Sequence, residues 1–292
     1  MKMHDDEVAI DEHLVRRLLA AQFPELTGMA VCPVRPSGTV NAIFRIGAEL
    51  CARLPRARRW LGSVEHEWQW LPGLSGSVRL QIPAPVALGQ PAAEYPFSWA
   101  IYRWLDGRPW EPGLADERQA AVDLAQFVTE LRRTTPDAGA PAGGRRPLRE
   151  LDAATRASIK EAALAIDGPG ALSAWQAALR APVWDGQAVW IHSDLLPANL
   201  LVSAGRISAI IDFGGAGLGD PAADVIPAWS VFGPAGREAF RSALGVDDGT
   251  WLRARGIALH QAVALIPYYA ESNPVYAALG RRTVANVLAD DS

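Results

Sequence analysis

H-S-D-L-L-P-A-N-L-L at residues 192–201, followed by I-D-F-G at 211–214, decides how this chain is read. Leu200 to Ser203 is a short apolar strand, Ala204-Gly205 a turn, and Arg206 to Ile211 the return strand. A hairpin brings its open ends together. Asn199, just before the first strand, is therefore expected beside Asp212, just after the second, with Asp194 on the loop leading in. Three oxygen-bearing side chains are thus predicted at one end of one hairpin. Hard cations such as Mg²⁺ take oxygen ligands, commonly one or two carboxylates plus phosphate oxygens. Asp212 and Asn199 suit a metal. Asp194 suits the acceptance of a proton from an attacking hydroxyl.

Working outward, 292 residues fit one large domain or two lobes and can bury a sizeable core. The net charge of −4 argues against a nucleic-acid partner and permits a cationic one. Cys32 and Cys51 are the only cysteines. They are too few for a disulfide framework or a zinc site, so a cytoplasmic location is expected. The opening M-K-M-H-D-D-E-V lacks the apolar core of a signal peptide, and no apolar run reaches the length of a membrane span. Lys2 and Lys160 are the only lysines, so arginine must carry out the work of any buried cation.

Asp11 to Ala21 has helical spacing, with Asp11 as its cap. Val40–Ile46 and Leu50–Leu54 read as paired strands around a Gly47-Ala48-Glu49 turn. Ser37, Gly38, Thr39 and Asn41, in S-G-T-V-N, form a candidate phosphate-covering loop, because small residues let backbone N–H groups approach an anion. Arg53 lies near the end of the second strand. A helix over Val64–Leu71, stopped by Pro72, carries Glu65 and Glu67. A strand cation paired with a helix carboxylate is a known phosphate-holding arrangement, and Glu67, with Glu65 close beside it, is the candidate partner. Trp60, Trp68 and Trp70 read as packing. Val86–Leu88 and Ser98–Trp104 are further strands. The Leu105-Asp106-Gly107 break resembles a hinge, whose backbone at Trp104 and Leu105 is expected to face a nucleobase edge.

Asp116–Arg133 is an amphipathic helix. Thr134 to Pro147 reads as a mobile, linker-like loop. Helices follow over Ala153–Ile166 and Ala171–Arg180. Beyond the hairpin, Asp220-Pro221 starts a helix that Pro227 distorts, and Asp224 is either a first-turn carboxylate or a brace for the Asp194 loop. Further helices are expected over Pro234–Leu244, Thr250–Ala270 and Pro274–Ala289. Asp290-Asp291-Ser292 is a solvated end or a contact for a cationic substrate.

These segments, in this order, resemble the aminoglycoside phosphotransferase and choline-kinase-like family, nearest to its bacterial aminoglycoside or macrolide members. The carrying pieces are residues 37–41, 50–56, 67–72, 98–107, 192–201 and 211–224. The resemblance implies a bilobal α+β protein-kinase-like fold: an antiparallel N-lobe over 1–104 and a mostly helical C-lobe over 105–292. It implies Asp194 as the catalytic aspartate, Asn199 and Asp212 as Mg²⁺ ligands, and Arg53 and Glu67 as the phosphate-holding pair. Arg53 stands where lysine is common, and Ser193 and Leu196 stand where glycine and histidine are common. The implied reaction moves the γ-phosphate of ATP or GTP to a hydroxyl of a small molecule, an aminoglycoside-type antibiotic first, in a monomeric protein that confers resistance. A macrolide, an endogenous amino alcohol or sugar, or a catalytically inactive nucleotide-binding role are the alternatives. For the acceptor, the C-lobe offers both acidic material (Asp220, Asp224, Glu271, Asp290, Asp291) and aromatic material (Trp229, Trp251, Tyr268, Tyr269).

Overall fold

In the computed structural model, which describes residues 7–34 and 40–290, the chain divides into two units: Met1–Asp106 with Ala209–Gly214, and Gly107–Ser208 with Gly215–Ser292. The first is built on a five-stranded sheet: β1 (Val31–Pro33), β2 (Asn41–Ile46), β3 (Leu50–Pro55), β4 (Pro85–Gly89) and β5 (Trp99–Arg103). The order is β1-β2-β3-β5-β4, and every pairing is antiparallel. Side chains alternate across a strand, which gives the sheet two unlike faces. Ala42, Phe44, Ile46, Leu50, Ala52, Leu54, Trp99 and Ile101 join Leu14, Val15, Leu18 and Leu19 of helix α1 (Glu12–Gln22) in one core. Asp11 caps α1 by accepting from the Leu14 N–H at 2.8 Å.

The opposite face carries Arg53, in register with Ile43 and Ala100, and Cys51, in register with Arg45 and Tyr102. Helix α2 (Ser63–Ser75) supplies Glu67 to that face. Its buried stripe is Val64, Glu67, Leu71 and Leu74. Pro72 lies inside α2 and does not stop it. The proline removes one backbone donor, and the helix still closes another turn, where the Ser75 hydroxyl donates to the Pro72 carbonyl at 3.0 Å. The expectation that all three nearby tryptophans pack is also corrected, because Trp68 falls off the stripe and is exposed.

The second unit is mostly helical. It opens with the two-residue strand β6 (Arg108–Pro109) and helix α3 (Glu117–Arg133), capped by Asp116. Helices α4 (Leu148–Glu161) and α5 (Gly168–Leu179) follow, then β7 (Val189–Ile191). The predicted hairpin is β8 (Leu200–Ser203) and β9 (Arg206–Ile210), and β10 (Gly217–Gly219) returns to pair with β7. The helix expected after Asp220 is a 3₁₀ turn over Pro221–Val225, and Pro227 begins the separate short helix α6 (Pro227–Ser230). α7 (Pro234–Leu244) ends on Gly245 in the left-handed region (φ +60°), the usual glycine stop. α8 (Asp248–Tyr268) is buried along much of its length against α4, α5 and α9 (Pro274–Leu288). The α+β class expected from the sequence, an antiparallel sheet in the first unit and a mostly helical second unit, is the class observed.

The Thr134–Pro147 loop is not the loose linker its composition suggests. Gly143 N–H donates to the Leu218 carbonyl at 2.8 Å, Leu218 N–H to Pro141 at 2.8 Å, and Gly144 N–H to Gly215 at 3.0 Å. A Cβ on Gly217 would meet the Gly143 nitrogen at 2.6 Å, so the two backbones touch where glycine is required.

Candidate active site

Within the first unit, one buried arginine gathers two carboxylates. Arg53 Nη1 donates to both oxygens of Glu67, at 2.6 and 2.7 Å, and Nη2 donates to Asp212 Oδ1 at 2.5 Å. Glu67, fully buried, also accepts from the Tyr102 hydroxyl at 2.8 Å and from the Phe213 N–H at 2.8 Å. Glu65 is exposed. Two positions along a helix are about 200° apart, so only one of the pair faces the sheet. Two separate guanidinium nitrogens serve two carboxylates here, which a single ammonium does less well. Burial pulls the Arg53 pKa down, but Glu67 and Asp212 outweigh it and hold the group charged. Burial first, and then Glu67, push the Tyr102 phenol well above its ordinary value, so it remains a donor.

Asp212 has φ +70°, rare for a residue with a side chain. Its backbone is fixed by the neighbouring Phe213 N–H on Glu67 and by Arg53 on its Oδ1. Oδ2 has no protein partner among the described residues.

Within the second unit, Asp224 braces the loop that carries Asp194. It is fully buried, and its two oxygens accept from the N–H groups of His192 (2.7 Å) and Ser193 (2.8 Å). The bracing role, one of two readings open in the sequence, is the geometry observed. Ser193 adopts φ +69°, which accounts for the glycine common there in the resembling family, and its hydroxyl donates to the Gly215 carbonyl at 2.7 Å. The Asp194 N–H donates to His192 Nδ1 at 3.2 Å.

The Asp194 carboxylate is held by side chains from three elements. Oδ2 accepts from Asn199 Nδ2 at 3.1 Å, and that same nitrogen donates to the Asp194 carbonyl at 2.8 Å. Oδ1 accepts from Gln261 Nε2 of α8 at 2.9 Å and from an Arg145 Nη at 3.4 Å. Arg145 Nε also donates to the Ser193 carbonyl at 2.7 Å. Sequence reasoning found neither Arg145 nor Gln261. Both amide protons of Asn199 are taken up near Asp194, which leaves Oδ1 without a protein partner among the described residues.

Asp212 Oδ2 and Asn199 Oδ1 are hard oxygen donors, the chemistry that Mg²⁺ takes. Among the described residues no three His, Cys, Asp or Glu side chains cluster as a metal site.

Other predicted positions fare unevenly. Ser37, Gly38 and Thr39 lie outside the described residues. Asn41 is buried at the start of β2. The Trp104 N–H is committed to the Glu49 carbonyl at 2.7 Å and so does not face outward as expected. Its indole donates to Asp106 at 2.7 Å and lies under the Arg45 guanidinium, 4.1 Å from the ring centre. Leu105 shows no such bond among the described residues. Asp220 is forked by Arg253 (2.7 and 3.1 Å). Asp290 is buried, accepting from the Trp229 indole at 2.8 Å, so it is neither a frayed end nor an open contact. Trp229 and Trp251 are core, their rings 4.6 Å apart. Glu271 and Tyr268 stay exposed. Asp291 lies outside the described residues. No helix among the described residues is long and apolar enough to cross a membrane.

Residues 32–258 match the model of the phosphotransferase enzyme family. No curated protein matches the chain. Among solved structures, the GDP and kanamycin complex of APH(2")-IIIa aligns over 97% of this chain and 100% of its own, at 21% identity and a TM-score of 0.75. The ADP-bound aminoglycoside phosphotransferase APH(2'')-Ib aligns over 96% and 97%, at 15% identity and a TM-score of 0.63. A macrolide 2'-phosphotransferase from Brachybacterium faecium, as the apoenzyme, aligns over 93% and 97%, at 19% identity and a TM-score of 0.63. At these identities the likeness is one of fold.

Proposed function

The chain belongs to the phosphotransferase enzyme family, and from that premise we propose that it is a monomeric, Mg²⁺-dependent kinase moving the γ-phosphate of ATP or GTP to a hydroxyl of a small molecule. The observation that carries this reading is the hold on Asp194. Its carboxylate is fixed by Asn199, Gln261 and Arg145, on a loop whose backbone Asp224 grips from behind. Nothing in a structural loop calls for so many donors around a carboxylate that is itself 40% exposed.

In this reading Asp194 orients the acceptor hydroxyl and takes its proton as the oxygen attacks. The phosphoryl group passes to that oxygen, and the nucleoside diphosphate leaves with the bond electrons. Arg53, fixed by Glu67, offers its positive charge to the nucleotide phosphates. Asp212 and Asn199 would hold Mg²⁺, which supplies charge neutralisation on those phosphates. Ser37, Gly38, Thr39 and Asn41 would cover the phosphates, and the Leu105 backbone would border the base. The neighbours that carry GDP and ADP support a nucleotide donor of either base.

An aminoglycoside-type acceptor, and with it a resistance role, is supported by a neighbour carrying kanamycin. A macrolide acceptor is supported by the other neighbour class. The test is Asp194→Ala, followed by phosphate transfer from labelled ATP and GTP with and without Mg²⁺. The variant is expected to lose at least about a hundredfold in turnover while still being stabilised by nucleotide. Unchanged turnover would reject the assignment.

A further inference from the structure

A fixed cation on the Asp194 carboxylate comes from a loop that sequence reads as a linker. Arg145 is half-buried. Its Nε donates to the Ser193 carbonyl and a terminal nitrogen reaches Asp194 Oδ1. The loop that presents it is tied by backbone hydrogen bonds to residues 215–218. It therefore stands on a fixed support, as a site residue must.

Arg146 follows Arg145 directly. Both arginines, after burial, hold the His260 pKa down to about 4, so their field reaches the α8 residue next to Gln261. Beyond Gln261 the same face of α8 continues as Ala264, Leu265 and Tyr268, since positions three, four and seven apart share a side. None of these three is buried, and the strip they form bears no carboxylate. Of the acids the sequence offers for an amine, Asp220 is satisfied by Arg253, Asp224 by two backbone N–H groups and Asp290 by Trp229, and the exposed Glu271 lies beyond the last residue of α8.

We propose that Arg145 is a positioning residue that holds the Asp194 carboxylate, and that its fixed charge selects acceptors with no ammonium group beside the phosphorylated hydroxyl. This rests on the phosphotransferase reading of Asp194 and narrows its acceptor. A polyamine approaching Asp194 meets a guanidinium already in place, and like charges a few ångströms apart in a partly buried site repel strongly. An uncharged hydroxyl compound lying along Ala264, Leu265 and Tyr268 meets no such barrier.

The experiment compares wild type, R145Q, R145K and the exposed-helix control R149A. Two measurements are made: acceptor-free phosphate release from Mg²⁺-nucleotide, and calorimetric titration of kanamycin. R145Q is expected to lose about tenfold in kcat with an unchanged nucleotide KM, because Asp194 loses one hold. It is also expected to bind kanamycin at least about tenfold more tightly than wild type, because the repelling charge is gone. R145K keeps the charge but not the fork. It should bind kanamycin as weakly as wild type, with an intermediate kcat. R149A should match wild type in both. Unchanged kcat in R145Q, or equal or undetectable kanamycin binding in all variants, overturns the proposal. If wild type releases no phosphate from nucleotide, the phosphotransferase reading fails by itself, and the kanamycin comparison still decides the charge argument.

Discussion

Replacing Asp224 with Asn tests whether the Asp194 loop is held from behind. The substitution keeps the volume but turns one of two acceptor oxygens into a donor, aimed at an N–H group that is already a donor. His192 and Ser193 are 2.7 and 2.8 Å from the carboxylate, and Asp224 is fully buried. A hydrogen bond to a charged group contributes about 1.5–3 kcal/mol, and a buried donor left unpaired costs about 1–3 kcal/mol. These overlap, so a net loss of about 2–4 kcal/mol is expected. For a unit of this size that lowers Tm by roughly 5–15 °C. Turnover should fall further than stability explains. Ser193 sits at φ +69°, a conformation costing about 1 kcal/mol or more for a residue with a side chain. Once the grip is gone, the strained residue relaxes and carries Asp194 with it. Calorimetry and steady-state phosphate transfer, both well below the variant's Tm, separate the two effects. A variant that melts within about 2 °C of wild type, a shift near the ~1 kcal/mol scale, and turns over normally would refute the bracing argument.

Glu67→Gln leaves Arg53 buried with a weaker partner, and a loss of about 3–5 kcal/mol should appear as an early melting step. Ser193→Gly removes the strain but also the hydroxyl bond to Gly215, so stability should stay within about 1 kcal/mol of wild type. Ser193→Ala keeps the strain, loses the bond, and should be the less stable of the two by differential scanning calorimetry. His260 titrates at about 4 in the folded chain against an ordinary value of 6.5. The unfolded chain therefore binds more protons in that range, and the stability linked to His260 is present above pH 6.5 and lost as pH falls towards 4. His260→Gln should flatten this slope in urea unfolding across the window; an unaltered slope would assign it to other groups.

Elements with strong local signals were legible in the sequence. Asp11 and Asp116 cap their helices as read, and Pro234 and Gly245 bound α7. The Arg53–Glu67 pair was legible because strand and helix periods both point inward at those positions. What escaped notice depends on distant partners. β7 and β10 are three residues each, too short to show a period. The Gly/Pro/Ala composition of 134–147 conceals backbone groups that bond some 75 positions away. Arg145 and Gln261 lie 49 and 67 positions from Asp194, with no local pattern to mark either. The spent state of Asp220 and Asp290 was equally invisible, because only the fold brings Arg253 and Trp229 to them.

The six residues Ala209–Gly214 fold with the N-terminal unit although they lie a hundred positions beyond it. Ile210 N–H bonds to the Gln81 carbonyl at 2.9 Å, Asp212 is the counter-ion of Arg53, and Phe213 caps Glu67. A gene cut after Asp106 would therefore leave Arg53 with Glu67 alone and remove the Phe213 N–H from Glu67. Any chimera that trades one half of this enzyme for a relative's must transplant that late hexapeptide together with the early sheet, or the graft inherits a cation with one of its two anions missing.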